Sequence, residues 1–329
     1  MPAFVRRGEI ALLALGTVLA LILGELLARA SGLATAAPSG YPFVDTRSRW
    51  SKPTNSRGYR DDEHALAKPA GVRRLVCLGD SFAWGAGMEY DDGFPKRLER
   101  ALARRRGERW EAINLALPGM NTVEQAAQLR EEGLLYSPDV VVLGYVFNDA
   151  EDESSIETRR ARDWEERRRA KKARREGLLE RSALYRLVSA RLEATLENRR
   201  RIAAYHAMYA PDYAGWKVAQ RALEDMSRAC QERGIPFVVA IFPLFGNPLD
   251  DGYPFAAIHA TVAAAAERTG ARVVDLLPAY RGLRWELLVV NGPADEHPNE
   301  IAHRIAANEI LNALEEELPP SGARSSTVP

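Results

Sequence analysis

From Val72 onward the chain alternates short apolar runs with longer amphipathic segments, and this alternation constrains the fold most. Residues 140–143 form an uninterrupted apolar run rich in valine, which is typical of a strand buried on both faces of a sheet. Strands that alternate with helices in this way predict an α/β domain built around a parallel sheet. The predicted strands are 72–78, 110–115, 140–143, 237–242 and 273–276, and the predicted helices are 95–107, 122–135, 219–233, 258–269 and 299–318.

The N-terminal segment (residues 1–31) has the layout of a targeting sequence. A basic pair at residues 6–7 precedes a run without charges at residues 10–23, as in signal sequences. A helix over residues 9–30 would be long enough to span a bilayer, while Ala-Arg-Ala at 28–30 offers a cleavage site. We favour an uncleaved signal anchor over a cleaved signal peptide. An anchor predicts a membrane-bound protein whose main domain is periplasmic or extracellular, and cleavage would make it secreted.

The remaining segments frame the α/β domain, which we place at residues 72–318. Residues 32–71 are rich in proline and predict a linker with a packed arm, and residues 319–329 predict a disordered tail. Residues from about 151 to 205 are dense in Arg, Lys and Glu and predict a helical insertion. The favoured interpretation is a solvated helix surface with internal charge pairs. The alternative is a lid, or a docking arm for an acidic polymer or anionic lipid heads.

Composition excludes several classes of function. The chain has 45 Lys and Arg against 45 Asp and Glu, so no global attraction to nucleic acid is indicated. Its two cysteines, Cys77 and Cys230, lie in apolar or helical patterns and are expected to be separate buried thiols, although a disulfide between them stays open. No metal-ligand cluster or complete dinucleotide-binding motif occurs, so we expect neither a metal nor a cofactor.

The strongest chemical signal is Gly79-Asp80-Ser81, directly after the first predicted strand. A serine hydroxyl becomes a good nucleophile only when a base takes its proton. The carboxyl end of a parallel strand is the edge where open α/β sheets bind ligands, and the start of a helix offers free N–H groups to a developing oxyanion. Alone, however, this tripeptide would also fit a plain turn with a helix-capping residue.

A second signal, Asp295-Glu296-His297, stands just before the last predicted helix. Histidine is the natural general base at neutral pH, and a carboxylate beside it would fix its tautomer. The other four histidines have no comparable setting and are expected to be surface or packing residues.

Two further groups follow predicted strands: Gly119 after the second, and Asn148-Asp149 after the third. The backbone N–H groups of Ser81 and Gly119, together with the amide of Asn148, would make an oxyanion hole with three donors. In isolation, Asn148-Asp149 would also fit a helix cap or a turn.

Taken together and in this order, these motifs resemble the SGNH/GDSL hydrolase superfamily over about residues 72–312. The resemblance implies a flavodoxin-like three-layer α/β/α sandwich with a parallel sheet, and cleavage of esters, including acetyl groups on carbohydrates. It implies Ser81 as nucleophile, His297 as general base, and Gly119 and Asn148 as oxyanion donors, with Gly79, Asp80 and Asp149 as supporting motif residues. Residues 55–61 and the apolar N-terminus are also similar to a membrane-anchored bacterial branch of the family.

Two positions depart from the family pattern. Val146 stands where the third motif has glycine, and Ala294 stands where the acid three residues before the histidine is usual. Either Asp295 serves as the acid with a shifted backbone, or the site works as a Ser–His pair whose imidazole is oriented by a carbonyl.

The expected activity is serine-dependent hydrolysis of acyl or acetyl esters, those on carbohydrates included, through an acyl-serine intermediate and outside the cytoplasm. Two alternatives stay open. An O-acyltransferase could pass the same acyl group to an exported polysaccharide, and a non-catalytic binding module could keep the fold.

Overall fold

The structure, a computed structural model, describes four stretches of the chain: residues 7–32, 54–151, 178–290 and 296–318. Asp295, the predicted tail, residues 33–53 of the predicted linker and residues 152–177 of the predicted helical insertion lie outside the described residues. Two compact units are present: residues 1–42 with 153–201, and residues 43–152 with 202–329.

A parallel five-stranded sheet forms the centre of the second unit. Its strands are β1 (Val72–Gly79), β2 (Arg109–Asn114), β3 (Val140–Tyr145), β4 (Phe237–Ile241) and β5 (Arg272–Asp275). Every residue of β3 and β4 is buried, which is why these strands read as continuous apolar runs. The spatial order β2-β1-β3-β4-β5 is that of flavodoxin-like sheets, so the predicted fold class is confirmed.

Helices cover both faces of this sheet. Among the described residues, the helices are α1 (Arg7–Ala30), α2 (Ser81–Trp84), α3 (Phe94–Arg106), α4 (Thr122–Glu131), α5 (Ala183–Met208), α6 (Ala214–Gln231), α7 (Ala256–Arg268), α8 (Leu277–Tyr280) and α9 (Glu300–Glu317). Short 3-10 turns lie at Tyr90–Asp92, Gly133–Tyr136, Phe147–Ala150, Leu178–Arg181 and Trp285–Leu287. Helix α3 contacts α9, while α6 contacts both α4 and α7. The right-handed rule for crossovers between parallel strands predicts opposite faces of the sheet for these two groups.

The predicted helix 122–135 is shorter than expected. Helix α4 ends at Glu131, and the chain continues as a 3-10 turn from Gly133. Gly133 lies against the core, since a Cβ there would be 3.0 Å from Leu129 Cδ1. The absence of a side chain at Gly133 therefore allows the turn to pack closely against the core.

Both cysteines are free and buried, which confirms the prediction of two separate thiols. Cys77 lies in β1 and Cys230 in α6, where each acts as a small core side chain.

An arm of residues 54–71 packs on the sheet and is fixed in part by a buried arginine of β1. Arg74 is 0% exposed. Its guanidinium donates to the carbonyl oxygens of Ala65, Leu66 and Tyr136 at 2.7, 3.0 and 2.9 Å, and to the Glu111 carboxylate at 3.0 Å. Because every one of these bonds is charge-assisted, Arg74 joins the arm firmly to the strand.

The first unit contains α1 and the start of α5. The segment Gly8–Ala30 of α1 contains an 18-residue window with a mean hydropathy of 2.4 and is long enough to cross a membrane. Glu25 of this helix accepts hydrogen bonds from the Ser182 hydroxyl at 2.7 Å and from the Ala183 and Leu184 N–H groups at 2.9 Å. A glutamate from one helix thus caps the start of another, because the first N–H groups of a helix have no partner within it.

Replacing Arg74 with Met should lower the free energy of unfolding by about 3 kcal/mol, because three carbonyls and Glu111 would lose a buried charged donor. Urea unfolding of the full chain in detergent, followed by tryptophan fluorescence, would measure this. Arg105→Met is the matched control, since Arg105 pairs with Glu315 at 2.8 Å on the surface, and it should cost about 1 kcal/mol or less. Equal losses in the two variants would contradict the prediction.

Candidate active site

Ser81 lies at the carboxyl end of β1, as the first residue of α2. The turn before it requires glycine: Gly79 has φ 146°, and a Cβ there would lie 2.8 Å from Ala83 Cβ and 2.9 Å from the Gly144 carbonyl oxygen. Asp80 then caps α2 by accepting from the Phe82 N–H at 2.9 Å. This sharp turn leaves the Ser81 side chain partly exposed at the edge of the sheet.

The structure brings Ser81 and His297 together although 216 residues separate them. The distance between His297 Nε2 and Ser81 Oγ is 2.9 Å, which is within hydrogen-bond reach of a base and its nucleophile. The ring of Phe82 packs beside the imidazole, with ring centroids 5.6 Å apart.

His297 is held by an isolated antiparallel bridge that precedes α9. Val289 bridges to Pro298, and the Val290 N–H donates to the His297 carbonyl oxygen at 3.1 Å. Asn299 joins this bridge to the helix. Its Oδ1 accepts from the N–H groups of Ile301 and Ala302 at the start of α9, at 3.0 and 3.2 Å.

The other end of the Asn299 amide holds residues 287–289, on the far side of the bridge. Its Nδ2 donates to the carbonyl oxygens of Leu287 and Val289, at 2.9 and 3.3 Å. One side chain therefore fixes both the helix start and the segment that is bridged to the His297 region.

Asn148 lies in the 3-10 turn after β3. Its Nδ2 donates to Asp80 Oδ2 at 3.0 Å, which brings the predicted amide next to the predicted nucleophile. A primary amide has two N–H donors. Because β1 and β3 are neighbours on either side of the point where the strand order reverses, this site occupies the usual ligand-binding position of a flavodoxin-like sheet.

Gly119 lies in the loop after β2, with φ 83°. The Leu117 N–H in the same loop donates to the Gly79 carbonyl oxygen at 3.3 Å. The loop thus runs beside the turn that presents Ser81.

Two buried carboxyls support this edge. Asp149 accepts from the Val146 N–H at 2.9 Å and from Gln125 Nε2 at 2.8 Å. Burial raises the pKa of both Asp80 and Asp149, and the nearby charge of Asp80 raises that of Asp149 further. Each carboxyl is compensated by several donors, as burial requires. Gln125, in the middle of a predicted helix, carried no sequence signal for this role.

Several aromatic and histidine side chains near the motifs prove to be core. Tyr145 at the end of β3 and Phe147 just after it are fully buried, while Trp84 at the end of α2 is partly exposed. His303 accepts from the Phe94 N–H at 3.0 Å through Nδ1, and burial lowers its pKa to about 3. His259 is buried against Asp275, with Nδ1 2.6 Å from its carboxylate. Both histidines are packing residues, as expected.

A family model described as GDSL-like Lipase/Acylhydrolase matches residues 77–305. The chain belongs to this family. The GDSL-like protein is accordingly a hydrolase that acts on ester bonds. A search of curated proteins finds no match.

Three solved structures illustrate what this GDSL-like chain is similar to. The crystal structure of TesA is 16% identical, covers 75% of this chain and 100% of its own, and has a TM-score of 0.45. The esterase EstA from Pseudoalteromonas sp. is 14% identical, with 74% and 97% covered and a TM-score of 0.42. Axe2, an acetylxylan esterase from Geobacillus stearothermophilus, is 17% identical, with 76% and 96% covered and a TM-score of 0.44.

Substitutions of Asn299 should separate stability from activity. Asn299→Ala removes the helix cap and should lower the free energy of unfolding by about 1 kcal/mol. Asn299→Asp keeps a capping oxygen but loses the donor to Leu287 and Val289, so stability should stay close to that of the unmodified protein while ester hydrolysis falls about tenfold. Urea unfolding and hydrolysis of a chromogenic ester would measure the two effects. Full activity in Asn299→Asp would show that the position of His297 does not depend on this donor.

Proposed function

We propose that the protein hydrolyses carboxylic esters through a serine nucleophile and an acyl-serine intermediate. The observation that carries the proposal is the distance of 2.9 Å between His297 Nε2 and Ser81 Oγ, at the carboxyl edge of the sheet. His297 takes the hydroxyl proton as Ser81 attacks the acyl carbonyl, and returns it to the leaving alcohol. In the second half of the reaction, His297 takes a proton from water as the water attacks the acyl-serine. The acid is released, and His297 returns the proton to Ser81.

The oxyanion of each tetrahedral intermediate would be held by the N–H groups of Ser81 and Gly119 and by the Asn148 amide. The hydrogen bond from Asn148 to Asp80 supports this role, because it fixes the amide while leaving its second N–H as a donor. Asp295 is the proposed acid partner of His297, on the basis of its position two residues earlier in the sequence.

The proposed substrates are acyl or acetyl esters, those on carbohydrates included, located outside the cytoplasm. The apolar helix Gly8–Ala30 supports a membrane anchor. The basic pair before it supports an N-terminus that stays in the cytoplasm. We place the hydrolase domain at residues 72–318, with the helical insertion at about 151–205.

Ser81→Ala and His297→Ala should each lower kcat for a short-chain chromogenic ester by about 10⁴-fold or more, and the double variant should be no slower than either single one. Ser227→Ala and His206→Ala are the controls. The Ser227 hydroxyl donates to the Thr269 carbonyl oxygen and His206 contacts the Pro254 carbonyl oxygen, so both should keep full activity. Retained hydrolysis in Ser81→Ala would refute the mechanism. Acyl transfer to a sugar with little hydrolysis would favour the acyltransferase.

Asn148→Ala should lower kcat by about 100- to 1000-fold with little change in KM, because an oxyanion donor acts mainly in the transition state. Steady-state kinetics on the same ester, with circular dichroism to check folding, would measure this. A loss below tenfold, or one confined to KM, would remove Asn148 from the oxyanion hole.

A further inference from the structure

Arg60 is a buried cation that lies outside the residues matched by the family model. Its side chain is 2% exposed. The guanidinium donates to the carbonyl oxygens of Trp84 at 3.2 Å, of Gly85 at 2.6 Å and of Met88. It also lies 4.9 Å from the centroid of the Trp84 ring, a distance typical of a cation–π contact. Arg60 therefore binds the end of α2 and the loop that follows it.

That loop, residues 85–88, is bonded directly to the proposed nucleophile. Gly85 ends α2 in the left-handed conformation, with φ 76°, and its N–H points to the carbonyl oxygens of Ser81 and Phe82. The Ala86 N–H donates to the Ser81 carbonyl oxygen at 3.1 Å. A Cβ at Gly85 would lie 3.3 Å from Arg60 Nη1, so the guanidinium packs against the loop backbone itself.

The same loop touches Val290, which is hydrogen-bonded to His297. Gly87 has φ 75°, and a Cβ there would lie 2.6 Å from Val290 Cγ1. Val290 therefore fills the space above Gly87, and its N–H donates to the His297 carbonyl oxygen. Contacts run without a gap from Arg60 through the loop and Val290 to His297.

The arm that carries Arg60 is itself firmly held. The neighbouring residue Asp61 is buried and accepts from the Asn114 N–H at 2.8 Å, at the end of β2. It also accepts from the Tyr90 hydroxyl. Tyr59, on the other side of Arg60, lies in the core and accepts from Gln128 Nε2 at 3.2 Å. Arg60 is thus fixed to the sheet and can serve as a rigid support for the loop.

We propose that Arg60 is a positioning residue, which holds the loop 85–88 and, through Val290, sets the place of His297 relative to Ser81. The effect on catalysis rests on the proposed serine mechanism. Arginine suits this role because its planar fork reaches three carbonyl oxygens at once. A lysine would keep the charge but not the fork.

Arg60→Lys should lower kcat about tenfold, and Arg60→Met should lower it further. A small displacement of His297 relative to Ser81 is enough to slow the reaction strongly. KM should stay unchanged. The pH at which kcat reaches half its maximum should also stay unchanged in Arg60→Lys, since the charge is kept. Arg57→Met is the matched control: Arg57 lies in the same arm, partly exposed and 3.8 Å from Glu132, and this variant should keep full activity.

Hydrogen exchange gives a readout that does not depend on catalysis. Without substrate, the amides of residues 85–90 and 296–299 should exchange faster in Arg60→Lys than in the unmodified full chain, while those of β1 and β3 should not. Faster exchange throughout the domain would assign Arg60 to global stability and overturn the proposal. Unchanged exchange together with unchanged kcat would also overturn it.

A double-mutant cycle tests the route through Val290. Val290→Ala should itself lower kcat, and Arg60→Lys should have a smaller effect in that background than alone, because coupled residues are not additive. Fully additive effects would exclude Val290 as the link.

The proposed mechanism and the proposed role of Arg60 can fail separately. If the unmodified chain showed no serine-dependent hydrolysis, the mechanism would fail. Hydrogen exchange at residues 85–90 and 296–299 would still decide whether Arg60 holds these two segments.

Discussion

The arrangement of the site depends on one buried carboxylate, that of Asp80. One of its oxygens caps α2 through the Phe82 N–H, and the other accepts from Asn148 and lies 3.5 Å from the Ser81 hydroxyl. A buried carboxylate is stable only when donors surround it, and here the donors come from the turn after β1 and the turn after β3. The interaction that stabilises Asp80 in the interior is therefore the one that brings the proposed nucleophile, Ser81, and the proposed oxyanion donor, Asn148, to the same edge of the sheet.

Other buried charged groups around the sheet are also compensated by hydrogen bonds to distant parts of the chain. Arg60 and Arg74 are buried arginines whose partners are mainly backbone carbonyl oxygens of loops, and Asp61 is a buried carboxylate that accepts from a strand N–H. Removal of one partner of such a bond is costly, since it leaves buried polar groups unpaired, but the intact bond adds little net stability compared with apolar packing of the whole site. The geometry of these bonds, however, is directional. Apolar contacts in the sheet hold the domain together, while these charged groups determine where the arm and the loops beside Ser81 lie.

The sequence predicted the sheet well because β3 and β4 are buried on both faces and so carry a continuous apolar signal. That Ser81, His297 and Asn148 lie at one edge of the sheet could be predicted because each stands at a recognisable boundary between elements. Arg60 and Gln125 could not, since an arginine in an irregular segment and a glutamine in a helix usually face solvent. Their partners are carbonyls and carboxyls far away in the chain, and no local pattern reveals such contacts. The cap that Glu25 forms on α5 was missed for the same reason.

Val146 and Gly79 show that two glycine positions of the family pattern can differ in what the backbone requires of them. Val146 has φ −128° and ψ 158°, an extended conformation open to any residue, and its N–H donates to Asp149. The backbone there does not need glycine, and the valine leaves Asn148 in contact with Asp80. Gly79 is different, because its positive φ and its contacts with Ala83 and Gly144 leave no room for a side chain. Loss of glycine at 146 therefore counts little against the proposed chemistry, whereas loss of glycine at 79 would displace the turn that presents Ser81.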